Sequence, residues 1–92
     1  MHADLKEIVG VLMRVLDGGE VWEGELADLG FEAEGELETA LNEAYVQLGE
    51  FAKALDLRRS DPAVDLRMRA ELQACLERIV AVCDRQEPPG SH

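Results

Sequence analysis

The spacing of apolar residues between positions 36 and 56 limits the fold of this chain more than any other feature. From residue 37 onward, apolar positions recur at intervals of four and three: Leu37, Leu41, Ala44, Leu48, Phe51 and Leu55. An α-helix brings residues three and four apart onto one face, whereas a strand alternates its side chains at every second residue. The pattern therefore predicts an amphipathic helix over residues 36–56. We expect Gly49 to be tolerated inside it because another helix packs closely there.

A second long helix is predicted over residues 62–85. Asp61 followed by Pro62 is a typical helix start, because the carboxylate can accept a backbone N–H and proline needs none at the first helical position. Seven apolar residues then face inward: Met68, Leu72, Cys75, Leu76, Ile79, Val82 and Cys83. The short connection at 57–60 makes the two helices antiparallel neighbours. Arg58 and Arg59 in that connection suit the negative C-terminal end of the first helix.

An N-terminal helix is predicted by a further apolar stripe. It ends at Gly18 and Gly19, where positive φ is available, and its inward residues are Leu5, Ile8, Val9, Leu12, Val15 and Leu16. Val11 and Met13 fall outside the stripe. Either another helix covers these two residues, or a partner subunit contacts them.

A short helix is predicted between residues 20 and 30. Trp22, Leu26 and Leu29 recur there at intervals of four and three, and Gly30 follows as a C-terminal stop. The predicted fold is therefore all-α: a small bundle of three main helices plus a short one, built on a long antiparallel hairpin of residues 36–56 and 62–85. We expect residues 1–86 to form a single domain and residues 87–92 to form a disordered tail.

Acidic residues are concentrated in the middle of the chain. Residues 15–52 contain eleven Asp or Glu and no Lys or Arg, so this region accounts for the whole net charge of −11. A field of this sign repels phosphate backbones and anionic membrane surfaces, and it attracts basic proteins or cations. We therefore expect a basic protein partner, and we expect no binding to nucleic acid or membranes.

Several features predict a cytoplasmic location. Lys6 and Glu7 lie where the apolar core of a signal peptide would begin. No apolar run approaches the ~20 residues of a membrane-spanning helix. Cys75 and Cys83 would lie about 12 Å apart along one helix, which is too far for a disulfide. Reduced cysteines are typical of an intracellular protein.

Residue types that carry catalysis or bind metals are scarce. His2 and His92 are both terminal, which removes an internal imidazole base, a Cys–His pair and most zinc sites. No Asp-rich loop has the spacing of a calcium site. The two cysteines lie on the inward face of the last helix, where free cysteine acts as a small hydrophobic residue. We predict that the protein is not an enzyme and that it has no catalytic residue, cofactor or metal site.

The acidic region is the best candidate for a binding surface. Trp22 lies within it, and although a lone tryptophan usually closes the edge of a core, tryptophan is also enriched at interfaces. We predict a non-enzymatic interaction module that binds a basic partner through residues 17–43, as an inhibitor, an immunity-like protein or an adaptor does. The predicted contact residues are Glu20, Trp22, Glu23, Glu25, Asp28, Glu32, Glu34, Glu36, Glu38 and Glu43.

Two alternatives are also consistent with the sequence. In the first, the acidic face only gives solubility, and exposed Val11 and Met13 indicate a homodimerising structural protein. In the second, Cys75 or Ser60 serves an enzyme or a carrier.

Overall fold

The computed structural model describes residues 3–30 and 33–86, which form five α-helices and no strand. Their bounds are α1 Ala3–Leu16, α2 Glu23–Ala27, α3 Gly35–Lys53, α4 Leu55–Ser60 and α5 Pro62–Gln86. The predicted all-α bundle is thus confirmed. The predicted tail at 87–92 lies outside the described residues, and the assignment of residues 1–86 to one domain stays a prediction.

The antiparallel pair of α3 and α5 forms the centre of the bundle. Its direction follows from side-chain pairs, because Glu36 lies beside Arg85 and Glu43 lies beside Arg78. The predicted inward residues of both helices are buried or packed against the core, except Leu55, which lies in α4 outside this core cluster; α1 lies against both helices. The apolar stripes within α3 and α5 therefore identified the core faces correctly.

The start of α5 agrees with the sequence. Pro62 is its first residue, and the backbone N–H of Ala63 donates to Asp61 Oδ1 at 3.1 Å. Asp61 has extended backbone, as a residue before a helix usually does.

The end of α3 differs from the prediction. The helix stops at Lys53, Ala54 has φ −90° and ψ 17°, and a new six-residue helix, α4, begins at Leu55. The predicted continuous helix to residue 56 and the predicted connection at 57–60 are therefore both wrong. The break turns α4 so that Arg58 points back to the end of α3, where it donates to the Phe51 carbonyl at 3.0 Å.

The short helix near residue 25 exists, but it covers only Glu23–Ala27. Leu26 is buried in it as predicted, whereas Val21 takes the core position that the pattern gave to Trp22. The chain is extended at Trp22, and successive side chains of an extended chain point to opposite sides. Gly30 was predicted to end this helix, but the C-cap residue is Asp28. Among the described residues, the glycines with positive φ are Gly18 and Gly35, so Gly30 does not have positive φ.

The two residues outside the α1 stripe have different environments. Val11 is buried in the core, while Met13 is 59% exposed. Val11 is therefore covered within the bundle. The hypothesis of a dimer through α1 required both residues to be exposed, and only Met13 is.

Gly49 does not mark a close helix contact. A methyl group at its Cα would meet no atom within 4 Å, and Gly49 is not among the glycines with positive φ. The expectation of close packing at this residue is wrong. Gly49 borders a small cleft between α2 and α3, so the position has room for a side chain.

We expect Gly49→Ala to raise the free energy of unfolding by about 0.5–1 kcal/mol, because glycine lowers helix stability and gains no contact here. Urea denaturation followed by circular dichroism measures the change. Gly18→Ala is the matched control: Gly18 has φ 101°, where alanine is strained by about 1 kcal/mol, so that variant loses stability. A destabilised Gly49→Ala would contradict the open geometry.

Candidate interaction surface

Four charged side chains meet at the end of the hairpin where α3 passes into α4. We call them the arginine–carboxylate quartet: Glu20, Arg58, Asp65 and Arg69. Glu20 accepts from Arg58 Nη2 at 2.7 Å and from Arg69 Nη2 at 3.1 Å. Asp65 accepts from Arg58 Nη1 at 2.7 Å and from Arg69 Nε at 2.8 Å. The charges of the two arginines and the two carboxylates therefore cancel within the quartet.

Arg58 is the buried member of the quartet. Its side chain is 2% exposed, and its guanidinium carbon lies 3.4 Å from the centroid of the Phe51 ring. Its Nε donates to the Phe51 carbonyl, which is one of the last four of α3 and therefore needs a partner from outside that helix. Arg58 was predicted to be a dipole partner beyond the helix end, but it is a buried capping residue within α4.

Arg69 does the same for α1. Its Nη1 donates to the carbonyls of Val15 and Gly19, at and just beyond the C-terminal end of that helix. Arg69 also lies 4.9 Å from the Phe51 ring centroid. The quartet therefore joins the loop after α1 to α3, α4 and α5, and within the described ranges no buried side-chain nitrogen or oxygen lacks a partner.

The quartet changes the acidity of its members. Hydrogen bonds from Arg58 hold the pKa of Glu20 below its ordinary 4.5 despite partial burial. Hydrogen bonds from Arg69, then from Arg58, hold the pKa of Asp65 below 3.8. Burial alone lowers the pKa of Arg58, but Glu20 and Asp65 outweigh it and raise that pKa. Both carboxylates are therefore ionised at neutral pH.

Arginines from outside the acidic region also pair with three further predicted contact residues. Arg14 donates to Glu25 at 2.6 Å, which keeps the pKa of Glu25 below 4.5. Arg78 pairs with Glu43 and Arg85 pairs with Glu36, all four groups being substantially exposed. Together with Glu20, these make four predicted partner-binding acids that already hold an arginine of the same chain.

The other predicted contact acids remain open to solvent. Glu23, Asp28, Glu34 and Glu38 are exposed and form no ion pair with any other described residue; Glu32 lies outside the described residues. Glu34 is the extended N-cap residue before α3, and Glu38 lies in the first turn of that helix, at a cleft that Arg78 and Arg85 also line. α2 rests farther along α3, where the Tyr45 hydroxyl donates to the Leu26 carbonyl at 3.0 Å and Glu23 borders a cleft with Lys53.

Trp22 lies at the start of α2 with 58% of its surface exposed. Its carbonyl accepts from the Leu26 N–H at 3.0 Å, and its own N–H makes a long hydrogen bond of 3.5 Å to Glu25. Next to it, Val21 is anchored in the core. The indole is therefore exposed on a fixed backbone, and the expectation that it closes the edge of the core is wrong.

The structure thus leaves one subset of the predicted contact residues exposed and without an arginine partner among the described residues. We call the exposed set Trp22, Glu23, Asp28, Glu34 and Glu38 the α2-side surface. The sequence indicates an i,i+4 pair of Asp65 with Arg69, which the structure contains, but it did not predict that Arg58, Asp65 and Arg69 meet at Glu20, just before Trp22. The sequence indicates such contacts only indirectly. Residues 15–52 hold eleven acids and no base, so basic residues that neutralise them must come from elsewhere in the chain.

The residues considered for other chemistry offer little. Cys75 and Cys83 are partly buried against the core, and burial raises the pKa of the Cys75 thiol, which reduces the thiolate needed for reactivity. The Ser60 hydroxyl donates to the Leu57 carbonyl at 3.1 Å. In the described ranges no three His, Cys, Asp or Glu residues are grouped as metal ligands, and none of those helices is long and apolar enough to cross a bilayer.

The chain matches no known protein-family model, and comparisons with curated proteins and with solved structures find no match. Its function must therefore be argued from the surface itself.

We expect Arg58→Ala to lower the free energy of unfolding by about 3–5 kcal/mol, because the end of α3 loses its partner and two partly buried carboxylates keep only Arg69. Arg59→Ala is the matched control, since Arg59 is the exposed neighbour and exposed changes usually stay within about 0.5 kcal/mol. Urea denaturation compares the two. Equal losses would show that the quartet contributes nothing specific.

We expect the double variant Glu20→Gln, Asp65→Asn to be less stable than the wild type at pH 7 and equally stable in acid. Both carboxylates have lowered pKa values in the folded state, so their stabilisation is present above the unfolded pKa and is lost as pH falls through the folded pKa. Denaturation at intervals from pH 7 to pH 2.5 measures the difference. A stability difference that does not change with pH would contradict this.

Proposed function

We propose that the protein is a non-enzymatic interaction module that binds a basic protein through the α2-side surface. The observation that supports this best is the exposure of Trp22, 58% open on a fixed backbone. This proposal narrows the sequence-based surface from ten residues to the five that are exposed and not paired with an arginine of the described chain.

The energetic argument begins with the indole. A tryptophan offers up to about 250 Å² of contact surface, so its exposed fraction leaves roughly 140 Å² for a partner. At about 25 cal/mol per Å², covering this area contributes at most about 3.5 kcal/mol. Its backbone is already held by Leu26 and Glu25, so binding needs little further ordering, which favours affinity.

The charge of the exposed carboxylates selects the kind of partner. Glu23 is adjacent to Trp22 in the chain, Asp28 follows α2, and Glu34 and Glu38 lie at the start of α3. Exposed charges of one sign raise the association rate with an oppositely charged protein and discourage other partners. A basic segment that carries an apolar or arginine side chain for the indole is the partner of matching chemistry.

This arrangement suits an inhibitor, an immunity-like protein or an adaptor. Each of these acts by covering a surface of another protein, and none needs a reactive group of its own. The fixed indole would supply the anchor, and the carboxylates would supply orientation and salt sensitivity.

We expect immobilised wild-type protein to retain a basic protein from a lysate of the source organism, and two variants to lose it. Trp22→Ala removes the anchor, for which a loss of about 2 kcal/mol, or roughly 30-fold in Kd, is expected. The second variant replaces four carboxylates by amides, at Glu23, Asp28, Glu34 and Glu38. Retention is measured at rising salt, and the purified partner is then titrated against Trp22 fluorescence, which shifts to shorter wavelength as the indole is covered.

Matched controls keep the same changes away from this surface. Met13→Ala removes another exposed apolar side chain. A four-amide control neutralises exposed carboxylates elsewhere, at Glu50, Asp56, Glu77 and Asp84. If these controls reduce retention as much as the surface variants do, or if the surface variants retain the same proteins as the wild type, the proposed function is wrong.

A further inference from the structure

A groove between α3 and α5 runs along a different side of α3 from the α2-side surface. Tyr45 and Gly49 face the cleft beside α2, whereas Val46 and Gln47 line the groove, as the 100° turn per residue requires. On α5, Gln73 and Leu76 border a separate cleft with α1, while Ala74 and Cys75 line the groove. No described helix covers this face of the hairpin.

The groove combines an apolar centre with charged ends. It encloses about 590 Å³, and at its centre lie Val46, which is 57% exposed, together with Ala74 and the half-buried Cys75. Arg78 and Glu43 pair at one end, and Glu71 lies at the other. Signs of both kinds are thus present, unlike on the α2-side surface.

We infer that this groove binds a second copy of the chain in a two-fold symmetric dimer. A two-fold interface is self-complementary, so a residue on one copy meets its counterpart at equal distance on the other side of the axis. Glu71 and Arg78 are equally far from the midpoint between Ala74 and Cys75. If the two α5 helices cross antiparallel at that midpoint, Glu71 of each copy lies opposite Arg78 of the other.

The centre of the groove fits this crossing. Ala74 is small, so two helices can approach closely at the axis. Val46 of each copy lies beside the crossing and loses its exposure there. Arg78 keeps its exposed pair with Glu43 and still has donors for a second carboxylate, because a guanidinium carries five N–H groups. A uniformly basic partner would oppose Arg78, whereas an identical chain supplies both signs in the correct order.

The size of the face sets the strength of this association. α3 is about 28 Å long, and two packed helices are about 20 Å wide, so each copy contributes roughly 600 Å² at most. The total of about 1,200 Å² lies at the lower limit of stable interfaces. We therefore expect a concentration-dependent dimer with Kd in the range of about 1–100 μM rather than a permanent one.

Two charge reversals test the crossing. In the Glu71→Arg variant, positions 71 and 78 of α5 are both positive, and in the Arg78→Glu variant both are negative. A dimer of either variant alone therefore has two contacts between like charges in place of two ion pairs. We expect each to self-associate at least about ten-fold more weakly than the wild type. Mixed one to one, the two variants restore both pairs, and we expect the mixture to dimerise about as well as the wild type. Sedimentation equilibrium from about 10 to 500 μM measures all three.

Three comparisons decide the outcome. Glu77→Arg changes the net charge as Glu71→Arg does, but Glu77 lies outside the groove and accepts from Gln73, so this control dimerises like the wild type. Circular dichroism verifies that each variant is folded. We expect all of them to fold, because the exposed Arg78–Glu43 pair contributes at most about 1 kcal/mol to the free energy of unfolding. A wild type that stays monomeric at about 500 μM, or a mixture that associates no better than its components, overturns the dimer. Trp22→Ala leaves self-association unchanged, which keeps this test separate from the proposed function.

Discussion

The stacking of Arg58 on Phe51 is the interaction on which the rest of the structure depends. The guanidinium lies 3.4 Å from the ring centroid and completes the end of α3 by donating to the Phe51 carbonyl. A charge buried in this way is tolerated only with full compensation, and Glu20 and Asp65 supply it. Those two carboxylates belong to the loop after α1 and to α5. The need to neutralise Arg58 therefore fixes the relative positions of three chain segments, namely that loop, α4 and α5.

The same need explains why the surface charge differs from the charge pattern of the sequence. Arginines of α1, α4 and α5 reach the acidic region and pair with four of its carboxylates. Glu36 and Glu43 of α3 are matched in this way, whereas Glu23, Asp28, Glu34 and Glu38 form no ion pair with any described residue. The acids without a partner therefore include Glu23, which is adjacent to exposed Trp22 in the chain.

Periodicity was sufficient to predict the three main helices and most of the core, because burial of apolar faces depends on local spacing. It did not predict the break at Ala54 or the burial of Arg58, because these follow from contacts between residues far apart in the chain, such as Glu20 and Arg58. Trp22 was misplaced for a related reason. The chain is extended at Trp22, before α2 begins, and Val21 enters the core where a helical pattern placed Trp22. For the candidate site, the residue types were predictable from the sequence. The sequence did not show which acids remain exposed and unpaired with an arginine of the described chain.

The segment that carries Trp22 is fastened on both sides. Glu20 precedes it and is held by Arg58 and Arg69, while Glu25 follows it and is held by Arg14. Between these two attachment points, only Val21 contributes to the core. Substitutions at Trp22, Glu23 and Gly24 therefore leave the core contacts of the bundle intact, so this stretch can vary in sequence while the scaffold keeps its shape.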